Sequence, residues 1–193
     1  MGHLQPVDDH DLQGLDEEVA WLSSYSSATF TLVAFRIIDW NQELSPWRAP
    51  AVFGREDFGE CASKTLCYVL DELVPRFKGN RYCLGGYSLA GLFALWSGYQ
   101  TDVFSSIVGA SPSVWFPKWI EFAGSHQMKA NRVYLSLGNK ETKAKNTVMA
   151  RVSECIERMH ELLDCEKTLE WNEGNHFKDN AIRTAKGLAW AIR

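Results

Sequence analysis

Hydrophobic and polar positions change period repeatedly along this chain. The run from Phe30 to Ile38 is almost continuously apolar, the pattern of a strand buried on both faces of a parallel sheet. Shorter runs at Tyr82 to Leu84, Phe104 to Gly109, Arg132 to Leu137 and Thr168 to Trp171 read as further strands, with a weaker one at Leu4 to Val7. Between them apolar residues recur at helical spacing. Leu12, Leu15, Val19 and Leu22 form one set; Ala62, Leu66, Val69, Leu70 and Leu73 form a second, ending near Pro75 and Gly79. Leu89, Leu92, Phe93 and Trp96 form a third. A long helix from about Lys143 to Leu163 carries the stripe Val148, Val152, Cys155, Ile156, Met159, Leu162 and Leu163. A short helix around Lys118 to Phe122 and a closing one from Asp179 to Ile192 complete the set, and Asp39 to about Gly59 reads as an irregular, Trp-rich loop.

Strands and helices therefore alternate throughout, which predicts a mostly parallel sheet with helices on both faces. In such sheets ligands bind beyond the carboxyl ends of the strands. With 193 residues, 46% of them hydrophobic, and no Pro-, Gly- or Ser-rich linker, a single compact domain over residues 1–193 is expected. The net charge of −4 is spread along the chain without a basic stripe, so a nucleic-acid partner is not expected. The five cysteines are odd in number, lack a Cys-x-x-Cys pair and read as reduced core residues. The start of the chain shows no signal-peptide pattern, and no apolar run reaches membrane-spanning length. The expectation is a cytoplasmic protein without a membrane partner. Oligomeric state is not legible here.

One stretch adds chemistry to this frame. Tyr82-Cys-Leu-Gly-Gly-Tyr-Ser-Leu-Ala-Gly91 passes from strand to helix through a turn holding the hydroxyl of Ser88, with small residues two positions either side, Gly86 and Ala90. A nucleophile elbow requires those small flanks, because the strained turn brings the strand and helix backbones close together. Gly-x-Ser-x-small strings also arise by chance; the strand-turn-helix context is what makes Ser88 a candidate nucleophile.

A serine hydroxyl needs a base. Of five histidines, His176 alone lies in a loop directly after a strand and downstream of the elbow, in Glu173-Gly-Asn-His-Phe177. A third group must hold the imidazole tautomer and offset its charge. Glu141, in Leu137-Gly-Asn-Lys-Glu141, completes the order serine, acid, histidine, with Glu173 and Asp179 as alternatives. The expected oxyanion donors are the backbone N–H of Leu89, at a helix N-terminus, and that of Asp9, after the first strand. Trp40, Trp47 and Trp115 fall in loops near the predicted active edge, where they would form either an aromatic wall or plain packing. No His-Glu-x-x-His or clustered Cys/His spacing exists, so neither metal nor cofactor is expected.

Taken together, Gly-Gly-Tyr-Ser-Leu-Ala-Gly91, Ala-Ser-Pro-Ser-Val-Trp115, Leu-Gly-Asn-Lys-Glu141 and Glu-Gly-Asn-His176 resemble the esterase group of the α/β-hydrolases that includes the siderophore (enterochelin) esterases and relatives of esterase D. The resemblance runs over nearly the whole chain in the right order. It implies an α/β-hydrolase fold without a lid domain, a triad of Ser88, Glu141 and His176, and Trp40 and Trp115 near the pocket. The implied activity is hydrolysis of a small soluble carboxylic ester through an acyl-enzyme. A thioesterase or acyltransferase would use the same three residues, and a non-catalytic binding protein would keep the fold without their geometry. Members of the group often carry Gly where Asp9 stands. The siderophore esterases also carry an Arg-containing segment where this chain reads Gln42-Glu-Leu-Ser-Pro46, so a catecholate siderophore is not the expected substrate.

Overall fold

The strands are β1 (Gly2–Val7), β2 (Thr31–Arg36), β3 (Tyr82–Tyr87), β4 (Phe104–Ala110), β5 (Arg132–Gly138) and β6 (Glu166–Asn172). In this computed structural model they form one sheet in the order β2-β1-β3-β4-β5-β6, every neighbouring pair parallel. Residues 1–25, 29–52, 54–77, 81–143 and 146–193 are described, residue 10 by its backbone alone. The helices are α1 (Asp9–Tyr25), α2 (Trp40–Glu43), α3 (Ala62–Tyr68), α4 (Ser88–Gln100), α5 (Trp119–Ser125), α6 (Val152–Leu162) and α7 (Asn180–Ile192).

The strand period of two divides the core between the faces. Leu84, Ile107, Val133 and Leu135 join one cluster with residues of α3, α4 and α6, such as Leu66, Phe93 and Ile156. Their chain neighbours Cys83, Val108 and Tyr134 join a second, with Leu22 of α1 and Ala185 and Leu188 of α7. The expected α/β architecture, helices on both faces of a parallel sheet, is what the chain adopts.

Both strands expected near the N-terminus form, and position in the sheet sets their burial against their apolar patterning. The strongly apolar β2 is an edge strand, alternately buried, and Ile38 just beyond it is 90% exposed. The weakly patterned β1 lies inside the sheet with all six residues buried. Pro6 is tolerated there because β1 pairs with β3 only over Gly2 to Leu4. Gly2 donates its N–H to Arg81, on the β3 side, and Pro6 lies in the same phase, so its missing N–H falls beyond the shared ladder.

The helix expected from Lys143 begins at Val152 instead. The Asn146 side-chain oxygen accepts the N–H of Val148 at 2.9 Å and of Met149 at 3.2 Å, capping a fresh turn and interrupting the stripe. Residues 144–145 of that expected helix, and Gly79 at the expected end of the second, lie outside the described residues. The second helix leaves α-helical geometry for a π-helical segment, Val69–Leu73, and a tighter turn, Val74–Arg76, holding Pro75. The Trp-rich loop contains α2, capped by the Asp39 carboxylate on the N–H of Gln42 at 3.1 Å.

All five cysteines are free; Cys83 is in the core, whereas Cys67, expected there too, is exposed on α3. Among the described residues no helix is long and apolar enough to cross a membrane.

Candidate active site

β3 ends at Tyr87 and α4 begins at Ser88, whose φ of 56° lies in the left-handed region that a non-glycine residue enters only under constraint. The constraint is the closeness of strand and helix. A Cβ on Gly86 would sit 2.5 Å from the carbonyl carbon of Ala90 and 2.6 Å from its oxygen, so only glycine allows the turn. The result is a half-buried Ser88 side chain at the carboxyl edge of the sheet.

His176 reaches that hydroxyl from the loop after β6, its Nε2 lying 3.0 Å from Ser88 Oγ. Its Nδ1 lies 2.8 Å from Glu141 Oε2. A carboxylate only accepts, which fixes the tautomer: Nδ1 carries the proton, and Nε2 is free to accept the hydroxyl of Ser88. Ser113 Oγ stands 3.4 Å from Ser88 Oγ.

Glu141 follows β5 in a short turn and is buried, 4% of its side chain exposed. Its other oxygen, Oε1, accepts the Gly138 N–H at 2.7 Å, the Ser111 hydroxyl at 2.8 Å and Arg183 Nη1 at 3.1 Å. Gly138 has no room for a Cβ, which would stand 2.4 Å from the Gly174 carbonyl oxygen. Burial alone would raise the Glu141 pKa. The hydrogen bond and charge of His176, with the donors Gly138 and Ser111, outweigh it and hold the carboxyl below its usual range.

Arg183 ties these parts together from α7, buried to 1% exposure. Its Nη1 also donates to the Tyr87 hydroxyl and to Ser111 Oγ, both at 3.2 Å, and Nη2 donates to the Glu173 carbonyl at 3.1 Å. Burial raises the Tyr87 pKa, so its hydroxyl stays protonated, and it donates to the His176 carbonyl at 2.8 Å. The residue before the serine is thereby fastened to the histidine loop. Neither Arg183 nor Tyr87 was apparent as a site residue in the sequence. The available signal was a cation set among the small and apolar residues of the closing helix, which names no partner.

The remaining sequence-predicted residues fall in different places. Leu89 is buried in the first turn of α4, immediately after the serine. Asp9 opens α1 directly after β1, the strand beside β3, and its carboxylate pairs with Arg36 at 3.1 Å on the surface. Trp115 borders a cavity of about 370 Å³ beside the His176 ring, with Met149, Val152, Phe177, Lys140 and Lys143. Trp40 borders a separate groove on α2, with Asp39, Gln42 and Glu56. Trp47 is packing: its Nε1 donates to the Pro117 carbonyl at 2.9 Å and its ring lies against Phe116, Trp119 and Phe122. Glu173 and Asp179, the alternative acids, are exposed, and Asp179 lies 4.0 Å from Lys178.

Six parallel strands between two helical layers make an α/β architecture that a set of solved esterases shares. The siderophore hydrolase EstA from Aspergillus nidulans is similar over 99% of this chain and 82% of its own, with a TM-score of 0.70 and 18% identity. The enterobactin hydrolase IroE, solved in complex with DFP, covers 99% of this chain and 80% of its own at a TM-score of 0.61 and 14% identity. The Pyrococcus furiosus esterase Pf2001 covers 99% and 81% at 0.59 and 12% identity. At such identities the likeness is one of fold. No family model and no curated protein matches the chain.

Proposed function

We propose that this protein is a serine hydrolase that cleaves a small soluble carboxylic ester through an acyl-enzyme. The observation that carries the reading is the unbroken hydrogen-bond chain from Ser88 Oγ through both nitrogens of His176 to Glu141 Oε2. The similarity of the fold to esterases supports it.

In the first half-reaction Ser88 Oγ attacks the ester carbonyl while its proton passes to His176 Nε2. The carbon–oxygen bond to the alcohol then breaks as Nε2 hands that proton to the leaving oxygen. In the second, Nε2 takes a proton from water as the water oxygen attacks the acyl carbon; the bond from that carbon to Ser88 Oγ then breaks as Nε2 returns the proton to Oγ, releasing the free acid. Glu141 holds Nδ1–H and stabilises the imidazolium each time. The Leu89 N–H, at the positive end of α4, is one oxyanion donor, and such a donor is worth about 3 kcal/mol in the transition state. Asp9 is the proposed second, through its backbone N–H. The adjacency of β1 and β3 supports it, as does the engagement of its carboxylate by Arg36, so that no negative charge need face the forming oxyanion.

A fluorophosphonate probe and p-nitrophenyl acetate test the reading. Wild type should be labelled and turn over, Ser88→Ala should do neither, and His176→Ala should lose most of both. An unlabelled wild type, or Ser88→Ala with undiminished turnover, refutes it.

A further inference from the structure

The cavity beside His176 has a polarity that the triad does not account for. Its wall is apolar, formed by Trp115, Met149, Val152 and Phe177, yet the exposed Lys140 and Lys143 stand at its mouth. They flank Glu141 in sequence but are not answered by it. That carboxylate is buried, with both oxygens occupied by His176, Gly138, Ser111 and Arg183. No ion pair joins either lysine to a carboxylate among the described residues. A chain of net charge −4 thus presents a local cationic rim around an apolar hollow.

Phe177 sharpens the picture. It follows the histidine directly, is 87% exposed, and sets its ring edge-on to the imidazole at 5.5 Å and 87°. An aromatic ring left in water at the mouth of an apolar cavity gains by covering a flat apolar ligand.

The proton path assigns the cavity a side of the substrate. His176 Nε2 must deliver its proton to the oxygen of the departing alcohol, so the alcohol portion lies toward the imidazole and the acyl portion away from it. The cavity borders the His176 ring and would receive a leaving group that extends past the imidazole. Resting on the serine-hydrolase reading, we propose that the preferred substrate is an ester of an apolar, aromatic alcohol that carries an anionic group. The ring would lie between Trp115 and Phe177 and its carboxylate would meet Lys140 and Lys143.

Two partly solvated ammonium–carboxylate contacts together change affinity about three- to tenfold, an effect that salt diminishes. Three acetyl esters isolate it: 4-acetoxybenzoate, its neutral methyl ester, and the cationic (4-acetoxyphenyl)trimethylammonium. All three form the same acetyl-enzyme, so differences in kcat/KM report on the leaving group alone. Intrinsic reactivity cancels when the ratios are compared between wild type and the double variant Lys140→Gln/Lys143→Gln. The anionic-to-neutral ratio should fall about three- to tenfold in the variant and the cationic-to-neutral ratio should rise. Wild type in about 1 M salt should approach the variant's ratios. Ratios unmoved by substitution and by salt, or an equal loss on all three esters, overturn the inference while leaving the hydrolase reading intact. No hydrolysis of any of them by a wild type that also resists the fluorophosphonate overturns both.

Discussion

Arg183→Met removes a buried guanidinium from beneath the hydrogen-bonded chain of Ser88, His176 and Glu141 while nearly preserving volume. Four contacts are lost: Glu141 Oε1 at 3.1 Å, Ser111 Oγ and Tyr87 Oη at 3.2 Å, and the Glu173 carbonyl at 3.1 Å. Truncating one member of a buried ion pair typically costs about 3 to 5 kcal/mol, because the remaining charge is left uncompensated. Here Glu141 keeps His176, Ser111 and Gly138 as donors, which places the cost near the lower end, about 3 kcal/mol. For a chain of 193 residues that corresponds to a fall in Tm of roughly 6 to 12 °C. The pH dependence carries the diagnosis. Glu141 has a depressed pKa in the fold, so its stabilising contribution is present above the ordinary carboxylate range and is lost as pH falls through the folded value. An ionised Glu141 is also what makes the missing guanidinium costly. The Tm gap between wild type and variant, followed by thermal unfolding across pH, should therefore be full at neutral pH and narrow below about pH 4.5. Arg183→Lys should restore part of the gap, since the charge returns without the fork. A gap below about 1 kcal/mol at pH 7, or one that does not change with pH, would refute the assignment of Arg183 as the support of Glu141.

Other consequences can be read from single atoms. Gly86→Ala drives a Cβ to 2.5 Å from the Ala90 carbonyl carbon, so the elbow must open; fluorophosphonate labelling should be lost together with a lowered Tm, whereas Ser88→Ala should lose labelling at little cost in Tm. His3 is wholly buried with neither ring nitrogen hydrogen-bonded, and burial lowers its pKa from 6.5 to about 4. The unfolded chain takes up that proton first, so stability should fall by up to about 3 kcal/mol as pH drops from 6.5 to 4, and His3→Leu should flatten the fall in denaturant titrations. Glu18, buried against Gln5 Nε2 at 3.1 Å, has the opposite sign: burial raises its pKa from 4.5 to about 7. Its stabilising contribution is present at low pH and lost as pH rises through 7, so Glu18→Gln should stabilise the fold by up to about 3 kcal/mol above pH 7 and little below pH 4.5.

Local pattern was enough to read the alternation of strand and helix, because strand and helix periods differ and each face of a parallel sheet demands its own apolar partners. It was enough for the elbow as well. The steric need for glycine at 86 is met by a backbone five residues or fewer away, so the requirement is written into contiguous sequence. The order of serine, acid and histidine along the chain was legible too, each group following its own strand.

What local pattern did not hold was set by neighbours remote in sequence. Whether a strand is central or at an edge depends on which strands flank it, and so the polar β1 proved buried while the apolar β2 lies at the rim. The start of α6 turned on one Asn146 side chain competing for backbone N–H groups. Among three possible acids, only Glu141 is carried to His176, since β5 sits beside β6 and the turn after β5 folds inward. Trp115 came to the cavity and Trp40 to another groove, although both are loop tryptophans. Arg183 shows the limit most plainly. Its partners lie 10 to 96 positions away, and no period or spacing links them. The sequence by itself determined which candidate groups the chain carries and in what order they occur. Tertiary structure alone decided which of them meet, because hydrogen bonds and ion pairs act over about 3 Å of space and are indifferent to separation along the chain.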